Sequence, residues 1–149
     1  MGKTWWIPLI IASLMLLGCS EPSPAARGGT YISEPGFVVM LQIELGEGGR
    51  MEGTISGVEL ASDGDISAYR RPVKGTIEGK AVNFSIIFPP GNRPSTIPVS
   101  GVVTDQGMEL TFFTESKVTS LSFRAGKAED FYALVQAVQE KSVELTSKQ

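Results

Sequence analysis

The chain has 149 residues, of which 13 are basic and 16 acidic, for a formal net charge of −3. A mildly acidic balance supplies no basic face for a phosphate backbone, so nucleic acid is not an expected partner. There is no histidine and only one cysteine, which removes the commonest general base, the commonest transition-metal ligand and any internal disulfide.

Residues 1–18 open with a single basic residue, Lys3, and continue as an apolar stretch from Trp5 to Leu17. A basic start, an apolar core and a small residue before the cut form a secretory signal peptide. Trp5 to Leu17 is 13 residues, short of the roughly 20 that span a bilayer. Leu16-Leu17-Gly18-Cys19 resembles the lipobox of bacterial lipoproteins. That resemblance implies cleavage between Gly18 and Cys19 and attachment of fatty acyl chains such as palmitate to Cys19. Several acyl chains, each contributing about 0.8 kcal/mol per buried CH₂, anchor a protein stably. Aspartate after the lipidated cysteine tends to hold such proteins at the inner membrane. Ser20 stands there instead, so the resemblance implies the outer membrane, with the domain facing the periplasm. In a host with one membrane, the same signal implies its outer face.

Cleavage would leave 131 residues with 12 basic and 16 acidic side chains, a net of −4, enough for one domain with its own core. Residues 19–29 carry two prolines and two glycines without periodicity and read as the lipidated cysteine and a flexible tether.

From Thr30 the apolar residues alternate. Val39, Leu41, Ile43 and Leu45 share one face against Gln42 and Glu44. The same period recurs in Met51–Gly57, Val73–Gly79, Val82–Phe88, Ile97–Val103 and Met108–Phe112, between turn clusters such as Gly46-Glu47-Gly48-Gly49 and Asp105-Gln106-Gly107. Period two predicts half-buried antiparallel strands. With Thr30–Ser33 first and Val118–Phe123 last, the expectation for residues 30–126 is all-β: a meander of about eight strands curled into a small barrel. Gly53, Gly75 and Gly101 each sit two residues before an inward aliphatic. Glycine there lets a sheet bend sharply or a neighbour approach closely, and it is expected to leave room beside Phe84 and Phe112.

Residues 127–149 read differently. Phe131, Leu134, Val135, Val138, Ser142 and Leu145 recur at three-and-four spacing, predicting an amphipathic helix over Ala128–Thr146. Glu129 and Asp130 near its start and Lys141 and Lys148 near its end suit the helix dipole. Its stripe is expected to pack on the sheet or plug a barrel end.

Chemistry-bearing constellations are few. The chain has no histidine and its one thiol is expected to be acylated, so no nucleophilic triad assembles. Glu129 and Asp130 are adjacent on a helix and point apart. Asp63-Gly64-Asp65 lacks the other oxygen ligands of a calcium loop and reads as a polar turn. Arg70-Arg71-Pro72 could clamp an anion, but reads first as a solvated strand edge. Pro89-Pro90-Gly91-Asn92-Arg93-Pro94 reads as a stiff loop at a barrel rim. No enzyme, cofactor or metal is expected, and the ligand-binding residues stay unassigned.

Gly29-Thr30-Tyr31 and Gly48-Gly49-Arg50-Met51-Glu52-Gly53-Thr54-Ile55 resemble the opening strand and second hairpin of the eight-stranded calycin barrels, avidin-like proteins more than lipocalins. The resemblance implies their architecture. It does not extend to biotin: Trp5 and Trp6 leave with the signal, and Ile55 stands where an aromatic hydroxyl belongs. Two functions are thus expected of a membrane-tethered lipoprotein. One is a non-catalytic barrel holding a small apolar or amphipathic ligand. The alternative is an envelope-accessory module, of the inhibitor or immunity type, gripping a protein through outward Val38, Met40, Ile87 and Phe113.

Overall fold

The computed structural model describes residues 28–33, 37–91 and 95–147. Cys19, Gly18, the signal peptide and most of the tether lie outside the described residues. Eight antiparallel strands follow in chain order: β1 (Gly29–Ser33), β2 (Val38–Leu45), β3 (Arg50–Leu60), β4 (Ile66–Glu78), β5 (Ala81–Ile87), β6 (Thr96–Val103), β7 (Gly107–Phe113) and β8 (Val118–Gly126). One helix, α1 (Ala128–Thr146), ends the described chain. Each strand pairs with the next, and β8 pairs back onto β1, Thr30 opposite Gly126 and Ser33 opposite Phe123, to close the barrel. The expected meander is therefore an eight-stranded antiparallel barrel, an architecture consistent with the calycins.

Alternation does what the sequence predicted. Val39, Leu41 and Ile43 of β2, Val82, Phe84 and Ile86 of β5, and Met108 and Leu110 of β7 all join one interior core. Their neighbours face solvent. The exception is the outer face of β1 and β2, where Ile32 and Met40 are as buried as the interior residues. There Phe131 of α1 covers them, with Val38, Val58 and Val135 packed around, forming a second apolar layer. Two of the outward residues expected to mark a partner surface, Val38 and Met40, thus belong to this layer.

The helix occupies the range the spacing predicts. Its first turn carries Glu129 and Asp130. The Lys127 N–H donates to Asp130 Oδ2 at 2.9 Å, satisfying one amide that the helix start would otherwise leave bare. No basic residue falls in the last turn, so the complement expected of Lys141 at that end is missing. α1 does not plug the barrel. It leaves β8 at the end of the short turns and runs up the outer wall. A 19-residue helix is about 28 Å long, enough to reach the opposite end. There Ser142 Oγ donates to the Gly64 carbonyl in the β3–β4 turn.

That turn is the polar one expected of Asp63-Gly64-Asp65. The Ala61 and Gly64 amides close it on Asp65 and Ala61 carbonyls, and the Asp65 amide donates to Asp63 Oδ1 at 3.1 Å. Gly64 has φ +94° and lies against Thr146 and Leu145, so the position needs glycine for both backbone and space.

The inward glycines allow the close approach expected of them, but not the room. A Cβ on Gly53 would overlap the Gln42 carbonyl, one on Gly75 the Asn83 carbonyl and Phe84 Cα, and one on Gly101 the Glu109 carbonyl. Neighbouring backbone fills the space that each lacks a side chain to occupy. These glycines let neighbouring strands come close; they do not open a cavity.

Candidate functional site

The two ends of the barrel differ. At one end lie the short connections β2–β3, β4–β5 and β6–β7, together with the start of β1 and the end of β8. The interior is filled on that side: Tyr31, Leu41, Met51, Val82 and Met108 are each at most 1 % exposed. At the other end open the connections β1–β2, β3–β4, β5–β6 and β7–β8. β3 and β4 stand well above the rest of that rim. β4 pairs with β5 only from Val73, opposite Ile86, whereas its pairing with β3 continues to Ile66 opposite Leu60. The hairpin is a raised wall on one side of the mouth, propped from behind by α1.

Inside this open end is a cavity of about 510 Å³, within the range of about 300–1,000 Å³ usual for small-molecule sites. Ile55, Ile86, Phe88, Ile97, Phe112 and Leu121 line it with apolar surface. Five lie on the inward face of their strands and Phe88 continues that parity just past β5; Ile55 and Ile86 are buried at the bottom, while Phe88, Ile97, Phe112 and Leu121 stay part-exposed towards the rim. Space does lie beside Phe112, but none of the inward glycines lines it. Phe84 lies deeper and is buried.

A few polar groups rise around this floor: Glu59, Tyr69, Arg71, Lys117 and Thr119. Tyr69 and Arg71 come from the raised part of β4 and share the inward parity of Val73 and Ile77. The Tyr69 ring lies over Gly57 of β3, its register partner, so that glycine serves to seat an aromatic. Burial raises the Tyr69 hydroxyl above its ordinary pKa, and the charge of Glu59 raises it further.

Arg71 corrects the sequence reading. The pair does lie on a strand edge, since β4 pairs with β5 only from Val73, but only Arg70 of the two is solvated. Arg70 faces out, and Arg71 is half-buried in the mouth. Its guanidinium lies 5.6 Å from the centroid of the Phe88 ring, within cation–π range. Nη1 donates to the Arg70 carbonyl at 2.9 Å. Nε is buried and finds no hydrogen-bond partner among the described residues, nor does any described carboxylate come within ion-pair distance. The one described ion pair, Lys74 with Glu52 at 3.4 Å, lies outside on exposed side chains.

Other candidates do not converge. Glu129 and Asp130 sit at the helix start, far from the mouth, with Asp130 spent on the cap. The rim loop Pro89–Pro94 is described only to Gly91. Of the outward apolar residues, Ile87 is half-buried and Phe113 is 41 % exposed, paired with the exposed Val118. A parity count from Val73 back to Arg71 was the signal available for the one site residue the sequence reading set aside. No family model, curated protein or solved structure matches the chain, and the reading of the site rests on its geometry.

Proposed function

We propose that this is a membrane-tethered lipoprotein whose barrel holds a small apolar or amphipathic ligand in its open mouth, without catalysing a reaction. The observation that carries the reading is the cavity of about 510 Å³ walled by Ile55, Ile86, Phe88, Ile97, Phe112 and Leu121. Apolar side chains left uncovered at a concave site regain stabilisation of about 25 cal/mol per Å² when a ligand covers them. In this reading Cys19 carries the acyl anchor and Ser20–Gly29 the tether, placing the barrel at the periplasmic face of an outer membrane, or on the cell surface of a host with one membrane.

The test is fluorescence titration of the chain from Ser20 onward with 1-aminoanthracene, an uncharged apolar probe. Both apolar cores and every described strand pair lie within residues 28–147, so this chain keeps all the described contacts of the fold. Saturable binding that disappears in Ile97→Trp, with β-sheet circular dichroism retained, supports the reading. A probe that fails to bind, or binds equally well to the filled variant, refutes it. The alternative, a protein-contact module, draws on the exposed pair Phe113 and Val118. Crosslinking in cells that traps a second protein through this pair would favour it.

A further inference from the structure

We infer that Arg71 makes the mouth selective for an amphiphile with an anionic end, a single-chain carboxylate, whose tail lies on the apolar floor and whose headgroup meets the guanidinium. The inference rests on the reading of the mouth as a ligand site and adds the chemical class of the ligand.

Three observations carry it. First, Arg71 is the only basic side chain on the inward face of β4, and it sits at the boundary between apolar floor and solvent, with Phe88 beneath. An amphiphile entering tail-first brings its headgroup to that level. Second, the guanidinium is incompletely satisfied. Buried nitrogen donors are normally paired, yet Nε has no partner and only Nη1 is engaged, by the Arg70 carbonyl. The planar guanidinium suits the two oxygens of a carboxylate, and the unmet Nε leaves the group without a full set of protein acceptors. Third, no described carboxylate lies within ion-pair distance of it. Glu59 stands on the same rim, but outside ion-pair distance of Arg71, and its charge acts on the Tyr69 hydroxyl. Lys117, also at the rim, adds positive charge on the opposite side, from the β7–β8 connection. Among the described lining residues two cations stand against one carboxylate, a balance that favours an anion.

The experiment compares dodecanoate with dodecanol, which share a tail and differ in headgroup charge, by displacement of 1-aminoanthracene from the chain starting at Ser20 at pH 8. Dodecanoate should bind about tenfold more tightly than dodecanol, in keeping with a charge-assisted pair. Arg71→Met should abolish that preference, and Arg71→Lys should keep part of it. Arg70→Met, on the outer face, should leave the preference intact. Equal affinity for the two in the unaltered chain overturns the inference, as does a preference lost in Lys117→Met and kept in Arg71→Met. If the probe binds but the two amphiphiles do not discriminate, the ligand site stands and only this inference falls. If the probe itself does not bind, the function reading has failed first.

Discussion

Replacing Tyr31 by phenylalanine should stabilise the barrel. The ring is 1 % exposed on the inward face of β1, and its hydroxyl is buried without a hydrogen-bond partner among the described residues. An unsatisfied buried polar group costs about 1–3 kcal/mol, whereas phenylalanine keeps the same ring packing. We expect a gain of about 1 kcal/mol at pH 7, or about 4 °C in melting temperature for a domain of this size. The gain should widen in alkali. Burial pushes the Tyr31 hydroxyl up from 10 to about 12, so the unfolded chain gives up this proton first. The stability held by keeping the hydroxyl neutral is intact below pH 10 and is lost as pH rises from 10 through 12. At pH 11 the loss is about 1.4 kcal/mol. Urea titrations of the unaltered chain and Tyr31→Phe at pH 7 and pH 11 isolate this term, because lysines and other tyrosines titrate alike in both. A variant less stable than the parent by more than about 1 kcal/mol at pH 7 would mean that the hydroxyl has a partner, such as a trapped water. An unchanged gap at pH 11 would refute the burial argument.

Gly75→Ala should destabilise by about 2–3 kcal/mol in urea titration, since the new methyl meets the backbone of Asn83 and Phe84. Gly57→Ala should lose less, about 1 kcal/mol, because the nearest atoms it meets belong to the Tyr69 ring, which can swing aside. Phe131→Ala should lose about 3 kcal/mol by opening the layer over Ile32 and Met40. Val135→Asp should lose about 2 kcal/mol by placing a charge there, and an unmoved melting temperature in both would mean the helix is held elsewhere. For the proposed anchor, Cys19→Ser should abolish labelling by a fatty-acid analogue and release the protein from membranes. Unchanged labelling and fractionation would instead mark Trp5–Leu17 as a true anchor.

Period-two alternation made the strands legible because one face of each is solvated and the other packed. It failed where that contrast breaks. The sequence placed the start of β4 at Val73, but the strand begins at Ile66. The charged Arg70-Arg71 and Pro72 interrupt the apolar pattern, while the ladder to β3 holds the backbone extended regardless. Pro72 is tolerated because it sits where no β5 partner requires its missing N–H. Arg71 was obscured for the same reason: a cation on an inward position contradicts the pattern used to find inward positions, and such violations concentrate at functional sites. The helix was readable to the residue, since its three-and-four spacing contrasts with everything before it. Its place on the outer wall was not, because Ile32 and Met40 look like ordinary solvent-side residues until something covers them.

Closure of the barrel also shapes how the chain acquires its structure. Seven of the eight strand pairs join neighbours in sequence through short connections, and each can zip soon after its second strand is available. The eighth joins Thr30 to Gly126, nearly the full length of the domain apart. Loop-closure entropy must be met at that seam before its contacts form. A chain delivered from its N-terminus would therefore hold β1 with one edge unpaired until β8 arrives, with β8 likewise open on its far side. Unpaired edges invite pairing with other chains. The helix follows β8 directly, and its Phe131 packs over β1 and β2. The segment that follows β8 thus clamps the closed seam from outside. Truncation before Ala128 would leave the strands complete but the seam unclamped, turning a folding question into one of aggregation.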